Sequence, residues 1–176
     1  MNAKKKSKVF LLDTSAILSG KQINLDDSKI ITTPSISNEI TPGGKDYQYF
    51  KILKERGLSI HIPSETSVKK VKNISIETGD SYRLSKADID IVALALDIKK
   101  QGNESIILTD DYSIQNVAHS LNIKFETISQ SGITRKFKWI GRCQGCRKKF
   151  KDNIKICPIC GAKIKSIISE EKTLEK

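Results

Sequence analysis

The chain has 176 residues, of which 38% are hydrophobic and 29% are charged, a composition typical of a folded globular protein. No segment approaches the roughly 18 apolar residues of a membrane span, and the start of the chain has no apolar stretch resembling a signal peptide. The sequence therefore argues against a membrane protein, and we expect a cytoplasmic protein with no membrane partner. The length has room for one domain of about 130 residues and a small second one.

The formal net charge of +11 is unevenly distributed. Residues 129–176 hold 13 Lys or Arg and 4 Asp or Glu, which gives a net charge of +9. Residues 9–128 hold 14 Lys or Arg and 16 Asp or Glu, which gives a net charge of −2. A basic region raises the local concentration of a polyanion, which favours nucleic acid as the partner of the C-terminal region. Phe137, Trp139 and Phe150 lie within this region, where they could stack on bases or form a small core.

Short apolar runs predict five strands, at residues 8–12, 29–33, 58–62, 105–108 and 124–128. The segments between them predict helices at 35–41, 47–54, 64–78, 85–100 and 112–121. Ser35 is a predicted helix cap, and Ser85 with Asp88 has the spacing of a capped start. Because strands and helices alternate, we expect an α/β domain over residues 8–128, with a parallel sheet covered by helices.

All four cysteines lie in two C-x2-C pairs, Cys143 with Cys146 and Cys157 with Cys160. This spacing suits one tetrahedral zinc site, and four thiolates leave no open position, so we expect one structural Zn²⁺. Two disulfides are the alternative, and they would need an oxidising compartment. The sequence thus predicts a zinc ribbon at residues 136–167, after a linker at 129–135 and before a charged tail at 168–176.

Carboxylates follow the predicted strands. Asp13 ends the first strand, Asp110 and Asp111 follow the fourth, Glu39 lies on the helix after the second, and Asp88 opens the most apolar helix. Open parallel sheets place their chemistry at the carboxyl ends of strands, so these side chains are expected to converge. Close carboxylates need a cation, and oxygen ligands suit one or two Mg²⁺ or Mn²⁺ ions. Such ions activate water against a phosphodiester, which predicts metal-dependent hydrolysis of nucleic acid.

Each carboxylate also has a structural alternative. Asp13 and Asp88 could be helix caps, and Glu39 could be a surface residue. Of the neighbours Asp110 and Asp111, at least one is expected to serve the site while the other caps the following helix. These alternatives stay open until the side chains are placed.

Supporting roles are expected for three further polar residues. Asp90 lies two residues after Asp88 and is expected beside the site or on the surface. Ser15 and Thr109 are expected to bond carboxylates or to hold the turns after the strands. His61 and His119 have no partner pattern, so we interpret both as structural.

The carboxylate pattern resembles that of PIN-domain nucleases. The family has an apolar strand ending in Asp, a helical Glu, a D-x4-A-x-A helix and a T-x-D turn after a strand. The matching residues here are Asp13, Glu39, Asp88 with Ala93 and Ala95, and Thr109 with Asp111. The resemblance implies a PIN nuclease domain at residues 8–128.

Two segments resemble one branch of that family more closely. L-S-K-A-D at 84–88 and T-D-D-Y-S-I-Q-N-V-A at 109–118, followed by a four-cysteine ribbon, are similar to the Nob-type endoribonucleases. These trim the 3′ end of small-subunit ribosomal RNA in archaea and eukaryotes. The resemblance covers about residues 8–165, and the absence of the large insertions of eukaryotic members indicates a compact archaeal form.

The resemblance implies a mechanism and partners. Asp13, Glu39, Asp88 and Asp110 or Asp111 would hold Mn²⁺ or Mg²⁺, and activated water would attack in line to leave a 5′-phosphate and a 3′-hydroxyl. The expected partners are precursor small-subunit RNA and the small ribosomal subunit, with a KH-domain protein or an ATPase as an assembly factor. The ribbon would dock on RNA through Lys138, Trp139, Arg142, Arg147, Lys148 and Lys149.

Three other functions compete with this one. A toxin-type PIN ribonuclease with an antitoxin partner normally ends after the PIN domain, so the ribbon argues against it. A non-catalytic RNA-binding scaffold is disfavoured by the full set of acids. A zinc-ribbon transcription factor leaves the carboxylates unexplained.

Overall fold

A computed structural model of the protein describes residues 7–19, 28–128, 135–150 and 154–173. The first domain contains one five-stranded sheet, with β1 (Lys8–Leu12), β2 (Lys29–Thr32), β3 (Ser59–Ile60), β4 (Glu104–Leu108) and β5 (Lys124–Glu126). The order across the sheet is β3-β2-β1-β4-β5, and every neighbouring pair is parallel. The predicted parallel sheet is therefore confirmed, although β3 is shorter than expected.

The central strands are buried on both faces of the sheet. All residues from Val9 to Leu12 in β1 are buried, and so are those from Ser105 to Leu108 in β4. Successive side chains of a strand point to opposite faces, so an unbroken buried run requires cover on both sides. Helices provide this cover, which confirms the predicted α/β class.

The described residues form six helices: α1 (Thr14–Leu18), α2 (Pro34–Glu39), α3 (Lys45–Glu55), α4 (Glu65–Thr78), α5 (Lys86–Lys100) and α6 (Tyr112–Ser120). The central one is α5, which contacts β1, β4, α2, α4 and α6. One predicted cap is wrong: Thr33, not Ser35, caps α2, because Pro34 suits the first helical position. In the described part of the chain, every helix is too short or too polar to span a bilayer.

The sheet order opens a crevice beside the ends of β1 and β4. The chain moves outwards from β1 through β2 to β3, then returns to the other side of β1 as β4 and β5. At such a change of direction, the loops after the two central strands separate and leave a crevice at their carboxyl ends. The backbone N–H of Asp13 donates to the carbonyl of Leu108 at 3.2 Å, which ties the two strand ends together.

The C-terminal module is a three-stranded antiparallel sheet in the order β7-β6-β8. Its strands are β6 (Arg135–Cys143), β7 (Lys149–Phe150) and β8 (Ile164–Thr173). The prediction of a charged tail at 168–176 is wrong for residues 168–173, which belong to β8. Their own sequence has no strand pattern, but backbone pairing with β6 extends the strand through them. Arg135 of the predicted linker begins β6, and residues 129–134 lie outside the described part of the chain.

The two sheets touch through the turn between α4 and α5. The hydroxyl group of Tyr82 in this turn donates to the carbonyl of Phe150 at 3.2 Å. Gly141 of β6 lies against the same side chain, since a Cβ there would be 3.2 Å from Tyr82 Oη and 2.7 Å from Ile164 Cγ2. This close approach explains why a glycine occupies that position in the strand.

Candidate functional site

Asp13 lies at the end of β1 and is almost fully buried, with 4% of its surface exposed. It occupies the N-cap position of α1, but its side chain makes no capping hydrogen bond. Its Oδ2 accepts hydrogen bonds from the hydroxyl groups of Thr109 at 2.8 Å and Ser15 at 3.0 Å. Helix capping therefore does not account for this carboxylate, which is turned toward the end of β4.

The same two hydroxyl groups hold the loop that follows β4. Ser15 Oγ accepts the backbone N–H of Asp110 at 3.1 Å, and Thr109 Oγ1 accepts that of Asp111 at 3.0 Å. Ser15 and Thr109 thus make both kinds of contact that the sequence suggested. They join the ends of β1 and β4 into one unit around Asp13.

Asp110 and Asp111 have different neighbours. Oδ1 of Asp110 accepts the backbone N–H of Ile128 at 2.9 Å, which fastens the segment after β5. Asp111 is exposed and caps α6, where its Oδ1 accepts the N–H of Ser113 at 2.6 Å. The charge of Asp111 also reaches Asp88. This electrostatic contact favours Asp111 over Asp110 as the partner of Asp88.

Asp88 and Glu39 bring two further carboxylates from α5 and α2. Oδ2 of Asp88 accepts the backbone N–H of Ser85 at 2.6 Å, as part of a reciprocal capping box. Oε2 of Glu39 accepts the hydroxyl group of Thr14 at 2.6 Å, which ties the end of α2 to the start of α1. The capping role of Asp88 is therefore real. A carboxylate has two acceptor oxygens, however, so capping leaves it able to hold a cation.

The carboxylates influence one another's protonation. Burial raises the pKa of Asp13 above its ordinary value and the charge of Asp88 adds to the rise, although hydrogen bonds oppose it. Burial also raises the pKa of Asp88, and the charges of Asp111 and Glu39 raise it further. A cation among such groups would relieve this repulsion. A donor set of carboxylate oxygens suits a hard divalent ion.

The carboxylate group is more open than the cysteine group. Across the described ranges, the cysteines form the one set of potential metal ligands whose donor atoms all lie within 4.8 Å of one another. Mg²⁺ usually keeps several water ligands and binds only one or two carboxylates directly. An open carboxylate set therefore remains suited to an ion that also binds water and a phosphate oxygen.

Asp90 lies on α5 and is also buried, with 8% of its surface exposed. Its Oδ2 accepts the hydroxyl group of Ser35 in the first turn of α2. A negative charge is favoured at the start of a helix by the helix dipole. Asp90 therefore joins α5 to α2, the helix that ends in Glu39.

The four cysteines form two turns that face each other, and all four are free thiols. Cys143 Sγ is 3.3 Å from Cys160 Sγ, and Cys146 Sγ is 3.6 Å from Cys157 Sγ. In a tetrahedral zinc site with bonds of about 2.3 Å, the sulfurs would be about 3.8 Å apart. The cluster therefore fits one metal ion that is fully enclosed by sulfur.

The thiols titrate as a set. The backbone N–H of Ala162, followed by the thiol of Cys143, lowers the pKa of Cys160 to about 6. At Cys146 the backbone N–H of Lys148 favours the thiolate, but burial and the three other sulfurs outweigh it and raise the pKa to about 11. Metal binding would release the remaining protons, because a coordinated thiol is deprotonated.

Four of the six basic or aromatic residues predicted to contact RNA are described, and all four are exposed: Arg142, Arg147, Lys148 and Lys149. Arg147 has a left-handed backbone with φ of 61°, and Gly161 has the same place after the second cysteine pair with φ of 70°. A side chain at such a position is strained, whereas glycine is not. The backbone of Lys138 and Trp139 belongs to β6, and their side chains lie outside the described part of the structure.

A polar cluster behind α6 was not predicted from the sequence. Asp80 is fully buried, and its Oδ2 accepts the side-chain N–H of Asn116 at 2.6 Å. Nearby, Nε of Arg83 donates to Ser113 Oγ at 3.2 Å. The available signal was Asn116 itself, because its amide lies among the apolar residues Ile114, Val117 and Ala118 of α6 and needs a partner where it is buried.

Comparisons with known proteins agree with this geometry. The family described as the PIN domain of ribonuclease matches residues 10–98, a range that includes Asp13, Glu39 and Asp88. Endoribonuclease Nob1 of Archaeoglobus fulgidus is 38% identical over 154 residues, covering 88% of this chain and 87% of that protein. Ribonuclease VapC1 of Thermoplasma acidophilum is 35% identical over 166 residues, covering 94% of this chain and 81% of that protein. Endoribonuclease Nob1 of Pyrococcus abyssi is 32% identical over 165 residues, covering 93% of this chain and 96% of that protein.

Proposed function

Because the chain belongs to the PIN-domain ribonucleases and, among them, to the Nob-type endoribonucleases, we propose that it matures the 3′ end of small-subunit ribosomal RNA. The reaction is metal-dependent hydrolysis of one phosphodiester, which leaves a 5′-phosphate and a 3′-hydroxyl. The observation that supports it most is that the charge of Asp88 reaches Asp13, and the charges of Asp111 and Glu39 reach Asp88, at the carboxyl ends of β1 and β4.

The four carboxylates hold one or two Mn²⁺ or Mg²⁺ ions in this proposal. Such an ion, when bound, lowers the pKa of a water molecule and stabilises the leaving oxygen. The protein contributes position: Ser15 and Thr109 fix the plane of Asp13, and Thr14 fixes Glu39. Asp110 bonds the segment after β5 and Asp90 bonds α2, so in this proposal both support the site. The 2′-hydroxyl is not the nucleophile, so the preference for RNA comes from binding.

The ribbon supplies that binding. Four thiolates enclose a structural Zn²⁺, which keeps the exposed basic residues next to the first cysteine pair in place. The net charge of +9 in residues 129–176 supports a polyanionic partner. The proposed partners are precursor small-subunit RNA and the small ribosomal subunit in the cytoplasm, with a KH-domain protein or an ATPase as an assembly factor. The proposed contacts are Lys138, Trp139, Arg142, Arg147, Lys148 and Lys149.

A ribonuclease of broader specificity, such as a toxin-type PIN protein, is the second candidate. One relative is named Ribonuclease VapC1, but most of the matching relatives are named Endoribonuclease Nob1, so this second function is not favoured. A non-catalytic RNA-binding scaffold is not favoured, because the complete carboxylate set is present and held by dedicated hydrogen bonds.

The test is cleavage of a short RNA that spans the 3′ end of the precursor. Reactions contain Mn²⁺ or Mg²⁺, or EDTA, and use the native protein, Asp13→Asn, and Glu55→Gln as a control. Glu55 is an exposed carboxylate at the far end of α3, which leads to the amino end of β3. We expect one metal-dependent cut at the mature end, lost in Asp13→Asn and kept in Glu55→Gln.

The other outcomes identify the alternatives. Metal-dependent cuts scattered along the RNA would favour the ribonuclease of broader specificity. If neither the RNA nor precursor subunits were cut while both were bound, the scaffold function would replace the nuclease.

A further inference from the structure

The turn between α4 and α5 touches both halves of the molecule. Tyr82 contacts the ribbon, and the next residue, Arg83, contacts the nuclease half. Nε of Arg83 donates to Oγ of Ser113, which lies in the first turn of α6 and is buried with 4% exposure. Arg83 itself is exposed. A buried hydroxyl group in the first turn of α6 thus holds an exposed arginine.

Arg83 lies close to the starts of the two helices that carry Asp88 and Asp111. Ser85, two residues later, forms the capping box with Asp88, and Ser113 donates its backbone N–H to Asp111. Arg83 is therefore attached to both helix starts that carry these acids. A planar guanidinium with several donors matches the oxygens of a phosphate group.

A buried carboxylate fixes the other side of this turn. The backbone N–H of Arg83 donates to the carbonyl of Asp80 at 2.8 Å, and Asn116 binds the Asp80 carboxylate from α6. Burial raises the pKa of Asp80 to about 6; hydrogen bonds and the charge of Arg83 oppose the rise, and the charge of Asp111 adds to it. Asp80 is thus within electrostatic range of both the guanidinium and a site carboxylate.

We propose that Arg83 binds a non-bridging phosphate oxygen of the RNA at, or next to, the cleaved bond. Ser113, Asp80 and Asn116 are its positioning residues. The identity of the RNA rests on the proposed function, whereas the phosphate contact rests on the geometry of this turn. A carboxylate-rich crevice repels a phosphodiester, and a fixed cation at its rim offsets that repulsion beside the metal.

The test is a scan with short single-stranded RNAs that each carry one neutral methylphosphonate. Affinity is measured in the Asp13→Asn background, where cleavage is not expected. We expect one sensitive position at which the neutral group weakens binding about tenfold to a hundredfold. With Arg83→Gln added, overall affinity falls by a similar factor and that position loses its sensitivity. With Arg83→Lys added, part of the sensitivity returns.

Arg56→Gln is the matched control. Arg56 is an exposed residue at the end of α3, near the amino end of β3, so its neutralisation removes the same charge from the other edge of the sheet. The methylphosphonate scan of Arg56→Gln in the Asp13→Asn background should match that of Asp13→Asn alone. If Arg83→Gln kept the same sensitive phosphate, the contact would be excluded.

Ser113→Ala keeps the inference testable if Arg83→Gln fails to fold. The cap on α6 uses the backbone N–H of Ser113, so alanine retains it and removes only the bond to Arg83. We expect a weaker dependence at the same phosphate, and an unchanged scan would argue against positioning. If the native protein cut no ribosomal precursor, the proposed function would fail, while the scan would still decide the phosphate contact.

Discussion

The sheet domain and the ribbon are stabilised in different ways. The sheet domain buries a continuous apolar core around residues such as Leu11, Ile31 and Ile107, all with 0% exposure. In the ribbon, the described buried residues are Ile140, Gly141, Cys143 and Cys157, while Ile156 and Ile159 are each 55% exposed. A module of this length usually needs metals or disulfides to fold, and its four facing free thiols fit a metal.

This difference explains how catalysis and RNA docking can belong to different halves of the molecule. A large core can tolerate buried acids such as Asp13 and Asp80, whose raised pKa values show that their charged forms are disfavoured there. A module held together by a metal would not depend on its surface residues for stability, so that surface would be available for basic side chains. Catalysis and docking should therefore be separable by mutation.

Removal of one zinc ligand should have the largest effect. Cys157→Ser should unfold the ribbon and leave the five-stranded sheet folded, since structural zinc binding is worth about 10–16 kcal/mol in small zinc domains. Amide hydrogen exchange read separately in β6–β8 and in β1–β5 would check this. Simultaneous loss of protection in both sheets would show that the two halves fold as one unit.

A cavity in the sheet domain should have the next largest effect. Ile107→Ala, in the central strand β4, should destabilise that domain by about 4 kcal/mol through lost burial and the cavity left behind. Ile62→Ala is the control, because Ile62 is 81% exposed and should change stability by less than about 0.5 kcal/mol. Urea denaturation would measure both, and unchanged zinc retention in Ile107→Ala would confirm that the ribbon is unaffected.

Lowering the pH should stabilise the sheet domain through Asp80 and weaken zinc binding by the ribbon. The pKa of Asp80 is about 6 in the folded protein against 3.8 ordinarily, so the folded state binds more protons between these values. The contribution of Asp80 to the free energy of unfolding of the sheet domain should therefore fall by about 3 kcal/mol as pH rises from about 4 to about 6. Above that pH it should stay constant. The ribbon should instead lose zinc as pH falls, because its thiolates become protonated.

Asp80→Asn isolates that contribution. Its free energy of unfolding should exceed that of the native protein more at pH 7 than at pH 4, measured with urea in a buffer whose only divalent ion is zinc. A chromogenic chelator would follow zinc release in parallel. A difference between the two proteins that stayed constant with pH would contradict the assignment.

The smallest effect is expected at the strained turn of the ribbon. Arg147→Gly should stabilise the ribbon by about 1 kcal/mol, since glycine accepts the positive φ, while RNA affinity should fall. Gly161→Ala is the matched reverse change and should destabilise the ribbon, because it places a side chain at φ of 70°. Thermal unfolding of the zinc-loaded protein would measure both variants. A loss of stability in Arg147→Gly would mean that the arginine side chain holds the ribbon together.

Local features of the fold were predictable, and features that depend on distant partners were not. The capping box of Ser85 and Asp88 needs only four residues, so the start of α5 could be predicted from the sequence. The strand character of residues 168–173 comes from pairing with β6, and it could not be predicted locally. The bond between Asp80 and Asn116 joins residues 36 positions apart, which is why the cluster around Arg83 was missed.

The most direct test compares two variants in one experiment that measures cleavage rate at saturating RNA and affinity as a function of salt. Asp13→Asn should lose cleavage and keep affinity. Joint neutralisation of Arg147, Lys148 and Lys149 to glutamine should keep the saturated rate, weaken binding and reduce the salt slope by about 2–3. If the charge variant lost the saturated rate, or Asp13→Asn lost affinity to the same extent, catalysis and docking would not be divided between the two halves.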